Sequence, residues 1–321
     1  MKAAVHTRYG PPSVVRILEV AMPVTGPDQV LIKVHATTVN RTDCAYRAGK
    51  PAALRVVYGP ITPKVTILGN EFAGQVVALG DGVTRFALGD RVFGYNEGPF
   101  GAHAEYLVMR QDGPLATIPA DLGYEQAAPS IEGSHYALSL IRAATIGPGH
   151  DVLVNGATGG IGSAVVQLAK GLGATVTGVC GPAHLEVVRG LGADHVIDYT
   201  TADFTRSGRG YDVVIDAVGK SSFGACKPVL RTHGIYLSSE LGMFWQNPVL
   251  ALVTPLLRGR KVLFPIPRQN QQLVEYLKGL IESGTFRPLI DRRYPLDEIV
   301  DAYTYVDSGQ KIGNVVIGVG P

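Results

Sequence analysis

The chain is poor in cysteine, methionine and tryptophan, with three, four and one among 321 residues. Cys44, Cys180 and Cys226 lie far apart and are odd in number, which excludes a disulfide framework and a paired-cysteine metal motif. They read as buried free thiols in a reducing compartment, which points to the cytoplasm. An excess of one charge sign is also missing: Lys+Arg 29 against Asp+Glu 27 leaves +2. Without a cationic excess to displace phosphate counterions, a dedicated nucleic-acid or acidic-membrane binder is excluded. The opening MKAAVHTRYGPP has no apolar core of signal-peptide length. From Leu241 to Leu257 no residue is charged, but Gln246, Asn247, Pro248 and Pro255 interrupt the run. A bilayer span needs about 20 mostly apolar residues. No membrane span is therefore expected, and this stretch reads as a buried or interfacial segment. No internal repeat and no low-complexity tract is visible.

What is present is apolar bulk and glycine. Hydrophobic residues make up 46%, enough for large cores, and 40 glycines suit many short strand–turn–helix junctions. The length suits two domains. Roughly the first 120 residues carry short strand-forming runs, such as 30–34 and 75–79, bounded by Gly/Pro/Asp clusters. From about residue 123 strand-like and helix-like runs alternate: strands at 151–155, 174–180, 195–197, 211–217, 235–238 and 261–264, helices at 160–172, 183–191 and 222–230. Alternation of this kind implies a parallel sheet with helices on both faces. Beyond 271 come two helical stretches and a last strand at 315–319. The expected architecture is α/β: a doubly wound parallel-sheet domain over 123–270, inserted into a β-rich domain made of 1–122 and 271–321.

The clearest chemical signal is Gly156-Ala157-Thr158-Gly159-Gly160-Ile161-Gly162, placed between a predicted strand and an apolar helix. Side-chain-free backbone can approach a pyrophosphate, and a helix N-terminus offers it free N–H groups. Ala157 stands at the first glycine of the dinucleotide pattern, but the strand–loop–helix context supports a nicotinamide cofactor. An NAD site usually has a carboxylate about 20 residues on. Here the second strand ends Cys180-Gly181-Pro182-Ala183-His184, with none. That favours NADPH, with NADH possible; His184 and Arg189 are alternatives between phosphate partner and solvated surface residue.

Together with that loop, Val39-Asn40-Arg41-Thr42-Asp43 with Arg47 and Gly49, Leu68-Gly69-Asn70-Glu71-Phe72-Ala73-Gly74, Gly89-Asp90-Arg91-Val92 and Leu191-Gly192-Ala193-Asp194 resemble, in order, the medium-chain dehydrogenase/reductases. The similarity covers nearly the whole chain and is strongest to the zinc-free quinone oxidoreductases, the zeta-crystallin-like branch. It implies a GroES-like β-rich catalytic domain, a Rossmann domain, a homodimer, and NADPH-dependent reduction of quinones or α,β-unsaturated carbonyls. Zinc-dependent members ligate metal with a Cys where this chain has Asn40 and a His where it has Asn70. Amides are poor zinc ligands, so no metal is expected. Without a Lewis acid, hydride addition to an already activated acceptor is the easier chemistry.

The resemblance implies that Thr158, Gly159, Gly160 and Ile161 bind pyrophosphate and that Cys180, Gly181 and Tyr199 lie by the adenosine. It implies that Gly219, Leu237 and Ser238 touch the cofactor at later strand ends, and that Phe264 and Ile266 line the nicotinamide side. Asn40 and Asp43 match positions near the nicotinamide; they orient cofactor or substrate, or they hold a loop by side-chain-to-backbone bonds. Tyr46 is a candidate donor to a substrate oxygen, although relatives carry their cleft tyrosine where this chain has Ala45. Glu71 and His103 read as buried structural groups, and Cys44 and Cys226 as inert. Residues 242–257, followed by Arg258, Arg260 and Lys261, fit a cleft-lining helix, a subunit interface or a shallow membrane contact. Two other functions remain open: a carrier-linked enoyl reductase of a lipid or polyketide pathway, and a catalytically weak NADPH-binding sensor or structural protein.

Overall fold

A computed structural model describes residues 1–320. The chain forms two compact units. The first comprises Met1–Glu132, Gln269–Glu282 and the chain from Pro288 onward; the second comprises Gly133–Arg268 and Ser283–Arg287.

The first unit is built on a seven-stranded sheet. Its long strand Gln29–Val39 pairs antiparallel with Glu71–Leu79 on one side. The C-terminal strand Asn314–Gly318 pairs with the same strand, Val315 opposite Val39. The chain thus returns at its end to the sheet it began, as expected from sequence. Val30, Ile32, Val34, Phe72, Val76 and Val92 are buried in a core completed by Ile299, Tyr303 and Val306 of the helix Ile299–Asp307.

The second unit holds six parallel strands. Their spatial order is His195–Asp198, Thr175–Cys180, Asp151–Asn155, Tyr211–Asp216, Leu230–Ser238, Lys261–Leu263. Numbered within this unit the order is 3-2-1-4-5-6, the doubly wound Rossmann arrangement, with its switch point between Asp151–Asn155 and Tyr211–Asp216. Val152, Leu153, Val154, Val214 and Ile215 are fully buried, as parallel strands covered on both faces require.

Three expectations need correction. Residues 123–132, expected in the dinucleotide-binding part, pack with the first unit. The short helix Tyr124–Ala127 lies against Gln29–Val39 and Glu71–Leu79, and Tyr124 stacks on His35 with centroids 4.4 Å apart. Residues 283–287, expected in the returning part, belong to the second unit. There Gln167 clasps Arg287, its Oε1 accepting from the backbone N–H at 3.0 Å and its Nε2 donating to the carbonyl at 2.9 Å. The helix expected at 222–230 is only one turn, Phe223–Cys226, because Pro228 follows and the chain tightens into a 3-10 turn.

The uncharged stretch folds as a helix, Gln246–Val253, between two 3-10 turns. Polar staples anchor it: Asn247 donates to the Glu240 carbonyl at 2.8 Å, and Thr254 accepts from Val262 N–H at 2.8 Å. Asn247, Leu250, Ala251 and Thr254 face the core, while Met243, Phe244, Trp245, Val249, Leu252 and Leu256 are exposed, so the segment is buried on one face only.

Candidate active site

The second unit supplies a backbone cradle at the glycine loop singled out in the sequence. Strand Asp151–Asn155 ends at Gly156, whose φ of 80° and close neighbour Val218 both demand glycine. The loop is fixed from below, since Gly156 and Ala157 N–H both donate to the Val179 carbonyl, at 3.2 and 3.0 Å. Gly159 caps the helix Gly160–Gly171, and the first i→i−4 bond is Ser163 N–H to the Gly159 carbonyl, 2.8 Å. The amides of Gly160, Ile161 and Gly162 therefore have no acceptor within the helix. A Cβ on Gly162 would lie 2.0 Å from the Gly156 carbonyl oxygen, so the helix start and the strand end touch backbone to backbone. At Gly159 an added Cβ would have only that oxygen near it, at 3.5 Å, which leaves the outer side of the loop open. These features suit a pyrophosphate laid across Thr158, Gly159, Gly160 and Ile161.

Register brings the other expected cofactor residues to the same edge of the sheet. Asp198 is opposite Cys180, Asn155 opposite Val179 and Asp216, Asp216 opposite Ser238, and Leu237 opposite Leu263. Cys180, Gly181, Gly219, Leu237, Ser238 and Phe264 thus all lie at or just beyond strand carboxyl ends. Ile266 is further out and largely exposed. Tyr199 N–H donates to the Cys180 carbonyl, and its ring covers Gly181, where an added Cβ would come 3.3 Å from the Tyr199 hydroxyl. Asp198 is the nearest carboxylate by register, but its Oδ1 already accepts from Thr200 N–H and hydroxyl, at 2.8 and 2.7 Å. Arg189 is paired with Glu186.

Sequence reasoning passed over the residue that ties this edge together. Asp216 is buried; its Oδ1 accepts from Asn155 Nδ2 at 3.0 Å and its Oδ2 from Ser221 N–H at 2.8 Å. It welds the ends of the two switch-point strands. Its position just before Ala217-Val218-Gly219, at a strand end, was the only signal.

The first unit assembles a different site, from side chains. At the start of the helix Arg41–Ala48, Asn40 N–H donates to Asp43 Oδ2 at 2.8 Å. Asp43 Oδ1 accepts from Gly69 N–H at 3.0 Å, fixing the loop that enters Glu71–Leu79. Burial pushes the Asp43 carboxyl up to about 7, with Glu97 adding to it. Asn40 Nδ2 donates to Glu71 Oε2 at 2.9 Å and Thr38 Oγ1 at 3.0 Å, and Thr38 donates to the same Glu71 oxygen at 2.9 Å. Glu71 Oε1 accepts from Ile131 N–H at 2.8 Å and from Glu132 N–H. Burial and the adjacent Glu132 carboxyl hold Glu71 well above the usual carboxylate range. The expectation that Glu71 is buried and structural matches this geometry.

Asn40 and Asp43 are thus both engaged in holding the helix start. Tyr46, half-buried one turn on, packs edge-on to Phe100 and Tyr58, its hydroxyl 3.3 Å from that of Tyr58. His103 is buried; its Nε2 lies 2.8 Å from the Thr38 carbonyl and its Nδ1 3.2 Å from the Tyr303 hydroxyl. Burial lowers it to about 4, so it is neutral and structural. Cys44 and Cys226 are buried, and burial raises both thiols, Cys226 to about 11, which leaves them unreactive. Glu132 and Thr42, which sequence reasoning did not single out, are joined by a hydrogen bond from the threonine hydroxyl. Nothing local in Ser130-Ile131-Glu132-Gly133 announces it.

At position 40 the amide nitrogen is committed to Glu71 and Thr38, and at position 70 a second amide replaces an imidazole. Neither offers the thiolate or ring nitrogen that zinc prefers, so this donor set does not fit the metal.

Comparison with known proteins agrees with the architecture. Residues 26–120 match the family described as "Alcohol dehydrogenase GroES-like domain", and residues 191–317 match "Zinc-binding dehydrogenase". A 2-methylene-furan-3-one reductase from Solanum lycopersicum is 33% identical, covering 99% of this chain and 79% of the relative. An NADPH-dependent alkenal/one oxidoreductase, chloroplastic, from Arabidopsis thaliana is 32% identical over the same shares of the two chains. The solved quinone oxidoreductase from Coxiella burnetii superposes with a TM-score of 0.89 at 28% identity, covering 100% of this chain and 99% of the other. The chain is an oxidoreductase and belongs to the medium-chain dehydrogenase/reductase superfamily, in its quinone oxidoreductase-like branch.

Proposed function

We propose that the protein reduces quinones or α,β-unsaturated carbonyls with NADPH and without a metal. The observation that carries this is the pair of amides, Asn40 and Asn70, where zinc-dependent relatives place ligands. With no Lewis acid to polarise a plain alcohol or ketone, the acceptor must be activated already. The names of the relatives support the same acceptor class. Bound at the glycine loop, the reduced nicotinamide supplies the hydride. The protein's part is to bind and orient. Thr158 to Ile161 offer backbone N–H groups to the pyrophosphate, and Tyr199 and Gly181 flank the adenosine. Gly219, Leu237, Ser238, Phe264 and Ile266 border the rest of the cofactor. In the first unit, Asn40 and Asp43 rigidify the helix start that presents Thr42 and Tyr46.

NADPH over NADH rests on the strand end Cys180-Gly181-Pro182-Ala183-His184, which itself carries no carboxylate to bind ribose hydroxyls. We read the protein as a homodimer as well. Strand Lys261–Leu263 is an edge of its sheet, and the exposed residues of 243–257 are apolar. Sedimentation velocity tests this, and a monomer at micromolar concentration overturns it.

The deciding experiment is a titration with NADPH and NADH followed by nicotinamide fluorescence, with metal content measured on the same sample. NADPH consumption with a panel of 1,4-quinones and alkenals follows. Tight NADPH binding, absence of zinc and turnover support the reading. Stoichiometric zinc, or no turnover with any acceptor, overturns it.

A further inference from the structure

Gly133 is buried and is the second residue of the helix Glu132–Ala143. Glycine weakens a helix relative to alanine, and the φ of Gly133 is not in the left-handed region, so the backbone conformation does not call for it. Contact does. A Cβ on Gly133 would lie 2.5 Å from the Gly160 carbonyl oxygen, 2.7 Å from the carbonyl carbon and 3.3 Å from Ile161 N. These three atoms belong to one planar peptide group, so Gly133 packs on the face of that plane. The same peptide carries the Ile161 N–H, which has no acceptor within the helix Gly160–Gly171. A second group holds it: Ser163, buried, donates its hydroxyl to the Gly160 carbonyl at 3.2 Å. Neither side of the contact is free to move. Beyond Gly160, Gly162 meets Gly156 backbone to backbone. Just before Gly133, the N–H groups of Ile131 and Glu132 are both held by the buried Glu71 carboxyl.

We infer that Gly133 and Ser163 are positioning residues for the cofactor's pyrophosphate: together they fix the tilt of the Gly160–Ile161 peptide, and with it the direction of the Ile161 N–H. The inference rests on the NADPH reading above and adds that the loop is aimed from outside its own sequence. A peptide is planar, so its C=O and N–H turn as one body. A hydrogen bond weakens steeply once the N–H leaves the line to its acceptor. A side chain at position 133 would press on the face of the plane and rotate it. Loss of the hydroxyl at position 163 would leave the carbonyl end unheld. Either change alters the angle at which the loop offers an N–H to a phosphate oxygen, although neither residue touches the cofactor.

The test compares wild type with Gly133→Ala, Ser163→Ala and, as a control for an added methyl, Gly190→Ala, where nothing lies within 4 Å of the new Cβ. Calorimetric titrations use two cofactor fragments: 2′-phospho-ADP-ribose, which carries the pyrophosphate, and 2′-AMP, which lacks it. Gly133→Ala should bind the first about tenfold more weakly and the second within about twofold of wild type. Ser163→Ala, which loses a hydrogen bond without a collision, should weaken the first about threefold and spare the second. Gly190→Ala should match wild type with both. In turnover with an alkenal, Gly133→Ala should raise KM for NADPH about tenfold and leave kcat and the alkenal KM unchanged. If Gly133→Ala fails to fold, Ser163→Ala, which adds no atom, carries the test. Equal weakening of the two fragments, or a pyrophosphate fragment bound by both variants as tightly as by wild type, overturns the proposal. A wild type that binds neither fragment overturns the cofactor reading and the proposal with it. A wild type that binds 2′-phospho-ADP-ribose but reduces no acceptor overturns the reductase reading alone.

Discussion

The two units carry chemistry in opposite ways. The cradle of the second is made of backbone, from residues contiguous in sequence between Gly156 and Gly162. The network of the first is made of the side chains of Thr38, Asn40, Thr42, Asp43, Glu71 and Glu132, closed by the N–H groups of Gly69, Ile131 and Glu132 and brought together only by the fold. A backbone site is defined by what must be absent, since any Cβ at Gly162 collides with the chain itself. A side-chain network is defined by what must be paired, since each buried donor or acceptor depends on a partner far away in sequence. The first is intolerant of additions, the second of deletions.

That contrast orders the expected effects. The largest belongs to Glu71→Ala, which takes the acceptor from Thr38, Asn40, Ile131 N–H and Glu132 N–H together. With about 1–3 kcal/mol for each orphaned buried group, partly relieved by entering water, a loss of about 3–5 kcal/mol is expected in urea unfolding. Glu71→Gln, which keeps shape and one acceptor, should lose less than half as much. Next is Gly162→Ala. The clash is with backbone, so the helix start must shift, costing about 1–3 kcal/mol as other overpacked sites do, and weakening NADPH binding about tenfold. Gly190→Ala, where nothing lies within 4 Å of an added Cβ, should leave both measurements unchanged. If Gly190→Ala weakens the cofactor as much as Gly162→Ala does, close backbone approach is not what makes the loop.

Acidity separates the units further. Asp43, Glu71 and Glu132 all have carboxyls raised by burial, Asp43 to about 7. In the unfolded chain these groups titrate near 4. Between about pH 4 and 7 the folded state therefore binds more protons than the unfolded one, and stability falls as pH rises through that window. In the second unit, Asp151 and Asp194 are lowered: their arginine and lysine partners outweigh desolvation. Their contribution is present above the ordinary carboxylate range and lost as pH falls below it. Hydrogen exchange of the two units across pH should show the first loosening toward neutral pH and the second loosening toward acid. A common direction in both units contradicts the assignment.

How much of this was legible in the sequence follows the same division. Strand alternation and the glycine loop are local patterns, so the doubly wound sheet and the loop at its first strand end could be read directly. The return of the C-terminal strand to the first sheet could be read from the change of texture beyond residue 271. The boundary at Glu132 could not, because it depends on Tyr124 stacking on His35 and on Ile131 and Glu132 docking to Glu71, contacts between residues far apart in the chain. Asp216 and Glu132 were missed for the same reason. A buried carboxylate has no sequence period, and only its partners reveal it. The exposure of 242–257 was hidden because an apolar run looks the same facing inward or outward.

Tyr46 is where the two kinds of legibility meet. Its placement as a donor came from resemblance, one position away from the tyrosine of relatives, while the structure gives it an aromatic cluster and a long hydroxyl contact at 3.3 Å. Tyr46→Phe keeps the ring edge-on to Phe100 and loses the long hydroxyl contact to Tyr58, so stability should fall by less than about 1 kcal/mol. If the hydroxyl only meets Tyr58, kcat with an alkenal should change by less than about threefold, since no hydrogen bond to developing charge is lost. If it donates to the acceptor oxygen, kcat should drop by about 10²-fold with the same small stability change. A 10²-fold loss in Tyr46→Phe together with unaltered Thr42→Val kinetics would make the tyrosine the donor to the acceptor oxygen.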